Sequence, residues 1–362
     1  MTGTAEVPPD RCQSTVAPTG HLILYSLIML LLVIIGQALL PVPYVKLSPG
    51  PMYNVIGASD GVEMIQISGV VTHPTAGELD MVTVTERGGP AGPLTLPEAY
   101  WGWFDSTQLV VPEQLIYPPN RSAEESQQLN AAMFSQSESN AVAAALNYLH
   151  LPMTEAVVVA SVVASGPAAG QLQSDDVLVR VDATAITSSS QAANVIRSHP
   201  PGSTVRFTVL RGGQSMQIPV VLAAAPGRPQ VGFAGLTLAS RFSATFPINF
   251  GIKDIGGPSA GTMLALGIID KLSAESVNGG RLVAGTGTVT PDGNVGAIGG
   301  IAQKMAAARK HGSEIFLAPA GNCDDVVAAG TGELNVVKVA SVGEAVTVLR
   351  QWLAGDANLP RC

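Results

Sequence analysis

Charge is scarce in this chain. Only 13% of its 362 residues are Asp, Glu, Lys or Arg, the formal balance is −8, and no Lys/Arg cluster interrupts that acidity. Nucleic acid is therefore not an expected partner, because phosphate contacts need a basic patch. Histidine is thin too. There are five, none paired at metal-ligand spacing, and the three cysteines (Cys12, Cys323, Cys362) make no zinc pattern. No metal is expected, and no other cofactor is called for. No phosphate loop of the form G-x-x-x-x-G-K-[ST] occurs, and no serine is followed three residues later by lysine. Walker-type nucleotide binding and the penicillin-recognising serine enzymes drop out on that ground.

Hydrophobic residues make up 46% of the chain, and its length suits two domains plus a tail. The chain breaks at Gly256-Gly257-Pro258-Ser259-Ala260-Gly261, and the apolar run from Thr262 to Ile269 then reads as a helix. Pro258 suits a first helical turn, which places Ser259 beside unpaired backbone N–H groups that favour developing negative charge. Alone, such a serine is a helix cap. A second glycine-started helix runs over Gly299–His311, with Gly312 as its C-cap. It carries Lys304 between Ile301 and Ala308 on one stripe, where burial disfavours the ammonium and makes a base of the amine. Alone, such a lysine is a solvated surface residue.

Together the two blocks resemble a known family. Gly257-Pro258-Ser259-Ala260-Gly261 and Ile298-Gly299-Gly300-Ile301-Ala302-Gln303-Lys304 are similar to the signature blocks of the Lon protease proteolytic domain. The resemblance implies a Ser–Lys dyad of Ser259 and Lys304, with Thr286 hydrogen-bonding the lysine. Ser48-Pro49-Gly50-Pro51-Met52-Tyr53-Asn54 resembles a pattern of membrane-anchored, PDZ-containing Lon-like proteases. Gly256 departs from Lon itself, which commonly has aspartate there. In the implied mechanism Ser259 attacks a peptide carbonyl, Lys304 takes its proton, and the backbone N–H groups of Gly257 and Ser259 hold the oxyanion. No ATP-driven unfolding machinery is visible, so flexible or unfolded segments are the expected substrates.

Two other readings stay open. G-x-S-x-G is also a nucleophile-elbow pattern, with Asp270 or Asp292 and then His311 downstream for a Ser-His-Asp hydrolase. A membrane-tethered PDZ adaptor with an inactive protease-like domain is the non-enzyme alternative, and Gly256 leaves room for it.

The organisation read from sequence is α+β, with a PDZ domain inserted into a Lon-type proteolytic domain behind one N-terminal transmembrane helix. Residues 1–21 are expected as a disordered cytoplasmic tail and 22–41 as the membrane helix. The run from Leu22 to Leu40 covers roughly 28 Å at the helical rise, enough to cross a bilayer. A cleaved signal peptide is the rival, and the resemblance implies an uncleaved anchor with the C-terminal domains extracytoplasmic. Residues 42–150 are read as the first part of the protease domain and 155–225 as the PDZ domain. Residues 229–354 are read as the catalytic part and 355–362 as a tail. Within them, Ala123–Leu149 is expected as a helix broken near Ser135–Ser139, and Phe246–Ile255 as a strand. Trp101 and Trp103 are expected to pack on the core, with contact to membrane or substrate as the alternative. In an exported domain Cys323 and Cys362 can pair, although two free thiols are equally open. Protein or peptide substrates and the membrane are the expected partners, and ring assembly, as in Lon relatives, stays open.

Overall fold

A computed structural model describes residues 19–59, 61–117, 122–251 and 255–362. The expected N-terminal tail lies outside this range up to residue 18, as does Cys12. Thr19–Leu39 forms one helix whose window Gly20–Gln37 has a mean hydropathy of 2.1 and no residue buried against the rest of the chain. Its leucines and isoleucines find no protein core.

Beyond it, a mixed six-stranded sheet has the spatial order Asn335–Val339, Ile315–Pro319, Leu282–Gly285, Glu78–Arg87, Tyr44–Asn54, Leu109–Pro112. The first four run parallel, and the last two join antiparallel. Alternation along Glu78–Arg87 splits the packing between two faces. Leu79 and Met81 join the core built with the serine helix (Gly261–Leu272), the long helix (Ala123–Tyr148) and the C-terminal helix (Val342–Leu353). Val82 turns to the other face, with Met305 and Ala308 of the lysine helix (Ile301–His311) and Phe316.

A second sheet is ordered Gln214–Val221, Thr204–Arg211, Val177–Val181, Met153–Val162, Leu236–Ala244. Phe207, Leu178 and Val205 pack there against Ala192 and Ile196 of the helix Ser189–Ser198. This unit reaches further along the chain than the sequence reading placed it. Ala223–Ala225 pairs with Arg228–Phe233, and Leu236–Ala244 is an edge strand of the second sheet. Leu236 and Leu238 are drawn in because they pack on that unit's core. The first sheet takes strands from both sides of Met153–Ala244, and the two ends of that stretch pair with each other, Met153 opposite Ala244.

Other expectations shift for tertiary reasons. The long helix is continuous through Ser135–Ser139. Its hydroxyls, which would compete with the helix backbone, are taken by partners elsewhere. Ser137 Oγ donates to the Pro258 carbonyl at 3.0 Å, and Ser139 Oγ accepts from the Phe242 N–H at 2.7 Å. The expected strand Phe246–Ile255 is only Ile248–Phe250, paired with Ile65–Ile67, and residues 252–254 lie outside the described range. Cys323 and Cys362 form a disulfide, with Cα atoms 4.9 Å apart. The final residues dock rather than trail, with Leu359 buried and the Lys338 N–H donating to the Pro360 carbonyl at 2.9 Å.

Candidate active site

The two signature helices approach from opposite faces of the first sheet and meet beyond the carboxyl end of Leu282–Gly285. That strand stops at Gly285, and Thr286 follows immediately. The serine helix begins at Gly261 with Ala260 as its N-cap, so Ser259 lies just before it rather than in its first turn. No side chain caps this helix, so the serine is not serving as a cap. Gly261 is required by close approach, because a Cβ there would stand 2.7 Å from Val289 and 2.9 Å from Ser137.

The lysine helix starts after Gly300, whose φ of 71° lies in the left-handed region that glycine tolerates. A Cβ at that glycine would meet Val84 at 2.8 Å. Helix and strand are thereby close enough for Lys304 to reach over the end of the sheet. Gly312 closes the helix with φ 88°, as its sequence position suggests.

Lys304 Nζ stands 2.7 Å from Ser259 Oγ and 2.9 Å from Thr286 Oγ1. Thr286 in turn donates its hydroxyl proton to the Ser259 carbonyl at 3.0 Å, and the Gly287 N–H donates to the same oxygen at 2.9 Å. One threonine therefore orients the amine and fixes the serine backbone together. Lys304 is 2% exposed. Burial pushes its pKa down to about 8, since among the described residues no carboxylate offsets the lost hydration of an ammonium. At that value about a tenth of the amine is neutral at pH 7 and about half at pH 8, the state needed to accept a proton from a hydroxyl.

Two expectations need correction. Gly257 was expected as an oxyanion donor, but its N–H donates to the Asn130 carbonyl at 2.9 Å. The long helix takes that donor because Asn130 lies against the serine loop. The Ser259 N–H meets no acceptor among the described residues. The Ser-His-Asp arrangement is not assembled. His311 Nε2 lies 2.8 Å from Glu78 and 3.6 Å from Asp80, at the far end of the lysine helix from Lys304. Asp270 instead accepts from the Val277 N–H and Ser276 Oγ beyond the serine helix.

A cavity of about 860 Å³ opens over the pair, bounded by Val82–Glu86, Gly256–Ala260 and Ile298–Gly299. Leu282–Gly285 pairs with Glu78–Met81 and then ends. Val82–Glu86 thus continue with a strand partner on one side and the cavity on the other. Sequence reasoning missed this edge. It also missed Asn130 and Ser137, which hold the serine loop from 121 residues away in the case of Ser137 and Pro258. Glu78, Asp80 and His311 bring ligand-type atoms within 4.8 Å of one another, a juxtaposition no local spacing announces because 233 residues separate Glu78 from His311.

Residues 250–355 match the family described as the Lon protease (S16) C-terminal proteolytic domain, and residues 133–222 match the PDZ domain family. The second match begins inside the long helix, ahead of the sheet it describes. A Lon protease of Chloroflexus aggregans is 35% identical over 104 residues, which is 28% of this chain and 12% of that protein. A Lon protease of Citrifermentans bemidjiense is 43% identical over 70 residues, 19% of this chain and 9% of that protein. The chain thus aligns with about a tenth of the length of these relatives. Among solved structures, the PDZ domain of an SdrC-like protein from Listeria monocytogenes is 30% identical, covering 23% of this chain and 86% of that one with a TM-score of 0.22. By the two family models, residues 250–355 carry a Lon protease (S16) type C-terminal proteolytic domain and residues 133–222 a PDZ domain.

Proposed function

We propose that the protein is a membrane-anchored, ATP-independent serine endopeptidase working through a Ser259–Lys304 dyad, with its C-terminal domains outside the cytoplasm. The observation that carries this reading is the buried Lys304 amine 2.7 Å from Ser259 Oγ. In the first step Ser259 Oγ attacks the substrate carbonyl as neutral Lys304 takes the hydroxyl proton. The resulting ammonium then protonates the leaving amine, and water completes hydrolysis of the acyl-enzyme with the lysine again as base. Thr286 keeps the amine aligned throughout. The Ser259 N–H is one donor for the oxyanion, and each such donor is worth roughly 3–4 kcal/mol. An extended substrate adds along the free edge of Val82–Glu86, a backbone-led mode that accepts many sequences. The apolar helix Thr19–Leu39 supports the anchor.

The test uses the full chain in nanodiscs with a fluorogenic unfolded casein and a fluorophosphonate probe. Ser259→Ala is expected to abolish both labelling and cleavage, and Lys304→Ala to lower cleavage by at least about 10⁴-fold with folding retained. Wild-type cleavage by either variant ends the proposal. The adaptor reading gains from one observation, the capture of the Gly257 N–H by Asn130. It predicts no labelling of the parent chain.

We further propose that Met153–Ala244 is an inserted unit serving substrate recognition or regulation. Because Met153 and Ala244 are strand partners, a short turn can replace everything between them. The shortened chain is expected to remain folded and labelled at Ser259. Loss of cooperative melting in that variant would show that the two units fold as one.

A further inference from the structure

We infer that the helix Leu96–Phe104 is an interfacial helix whose aromatic face lies in the lipid headgroup layer, beside the point where the membrane span leaves the bilayer. At ~100° per residue its exposed side carries Leu96, Pro97, Tyr100, Trp101, Trp103 and Phe104 over an arc of roughly 160°. No charged side chain interrupts that arc. The opposite side, Ala99 and Gly102, is buried against the protein. Trp101 and Phe104 are each 70% exposed, so the expectation that the tryptophans pack on the core does not hold for Trp101. Trp103 is 51% exposed and meets Tyr44 edge-on, with ring centroids 5.5 Å apart. Leaving this much aromatic surface in water is costly, since each such ring buries large area when it finds a partner.

The occupant follows from what adjoins the helix. The span Thr19–Leu39 lies in contact with it, Pro41 forms a β-bridge with Thr95, and the Val42 N–H donates to the Leu94 carbonyl at 2.8 Å. Thr95 is the N-cap of the aromatic helix, held by reciprocal contacts with Glu98. Two residues of extended chain from Leu39 cover at most ~7 Å, and the polar layer on each side of a bilayer is about 5–8 Å deep. The aromatic helix therefore begins at headgroup depth. Tryptophan and tyrosine favour that depth, where an apolar ring body and a polar N–H or O–H are both accommodated. Two attachments, a span and a lateral apolar helix, fix the tilt of the catalytic unit as well as its distance from the membrane.

This inference rests on the anchoring reading, and its test separates the two. The full chain carrying Trp352→Phe keeps only Trp101 and Trp103 as fluorophores. It is reconstituted in phosphatidylcholine vesicles with bromine near the headgroup or deep in the acyl chain. Shallow bromine is expected to quench emission at least about twofold, with deep bromine weaker. The Trp101→Phe/Trp103→Phe chain, reporting Trp352 alone, is expected to stay unquenched. Chain that floats with vesicles yet shows no quenching overturns the interfacial helix and leaves the anchor standing. Disulfide-linked dimers of Phe104→Cys formed in place of quenching assign the face to a second copy and overturn it as well. Chain that does not float removes the anchor and this inference together.

Discussion

The two ends of the lysine helix hold groups of the same kind in opposite states. Near its start, Lys304 is buried among hydroxyls, and its pKa falls to about 8. At its end, the His311 imidazole accepts the company of Glu78 and Asp80, and its pKa is raised, chiefly by the hydrogen bond to Glu78. Helix polarity adds in the same directions, disfavouring a cation at the N-terminus and favouring one at the C-terminus. The difference teaches what makes a base. Burial neutralises an amine only where no carboxylate compensates it, and among the described residues the lysine's partners are the neutral hydroxyls of Ser259 and Thr286. The carboxylates respond in kind. Asp80 is pushed up to about 7, first by burial and then by the charge of Glu78, and its Oδ2 has no hydrogen-bond partner among the described residues.

The largest effect expected from this contrast is on rate. If neutral Lys304 is the base, kcat/KM should climb about tenfold per pH unit below pH 8 and level off above it. A profile already level across pH 7 to 8 would show that Lys304 is not the titrating base.

Stability separates them next. The unfolded chain binds a lysine proton up to about pH 10.5, whereas folded Lys304 releases it near 8. Folding stability contributed by this site therefore rises with pH across that window. Lys304→Met removes the penalty and should be more stable than the parent by up to about 3 kcal/mol below pH 8. The gap should close above pH 10.5. Thermal melts that place the variant below the parent at pH 7 would mean that the amine's two hydrogen bonds outweigh its burial.

The smallest effect belongs to His311→Gln. With a raised folded pKa, this histidine stabilises most below its ordinary value of 6.5 and loses that contribution as pH rises through the raised one. About 1 kcal/mol should be lost at pH 6, the gap should shrink as pH rises through the raised pKa, and cleavage should persist in both. Lost cleavage would revive the His-dependent mechanism that the geometry disfavours.

How far the sequence could be read depended on how local the deciding contact was. Gly300 and Gly312 bound the lysine helix by backbone conformations that neighbouring residues dictate, so their pattern predicts its limits. The serine loop is different. Whether Gly257 N–H faces the groove depends on Asn130, and the continuity of the long helix depends on Pro258 and Phe242. None of these partners has a local signature. The exit from the PDZ unit was misplaced because Leu236 and Leu238 look like any apolar strand until the sheet they join is known.

By itself, the sequence determined the apolar span, the two glycine-bounded helices, and the chemistry of a hydroxyl and an amine. These follow from composition, periodicity and backbone preference, which act over a few residues. Only the tertiary structure decided that the amine loses its water, that Thr286 serves both partners, and that the aromatic helix sits beside the end of the span. Dielectric surroundings and contacts across 18 or more residues belong to the packed chain.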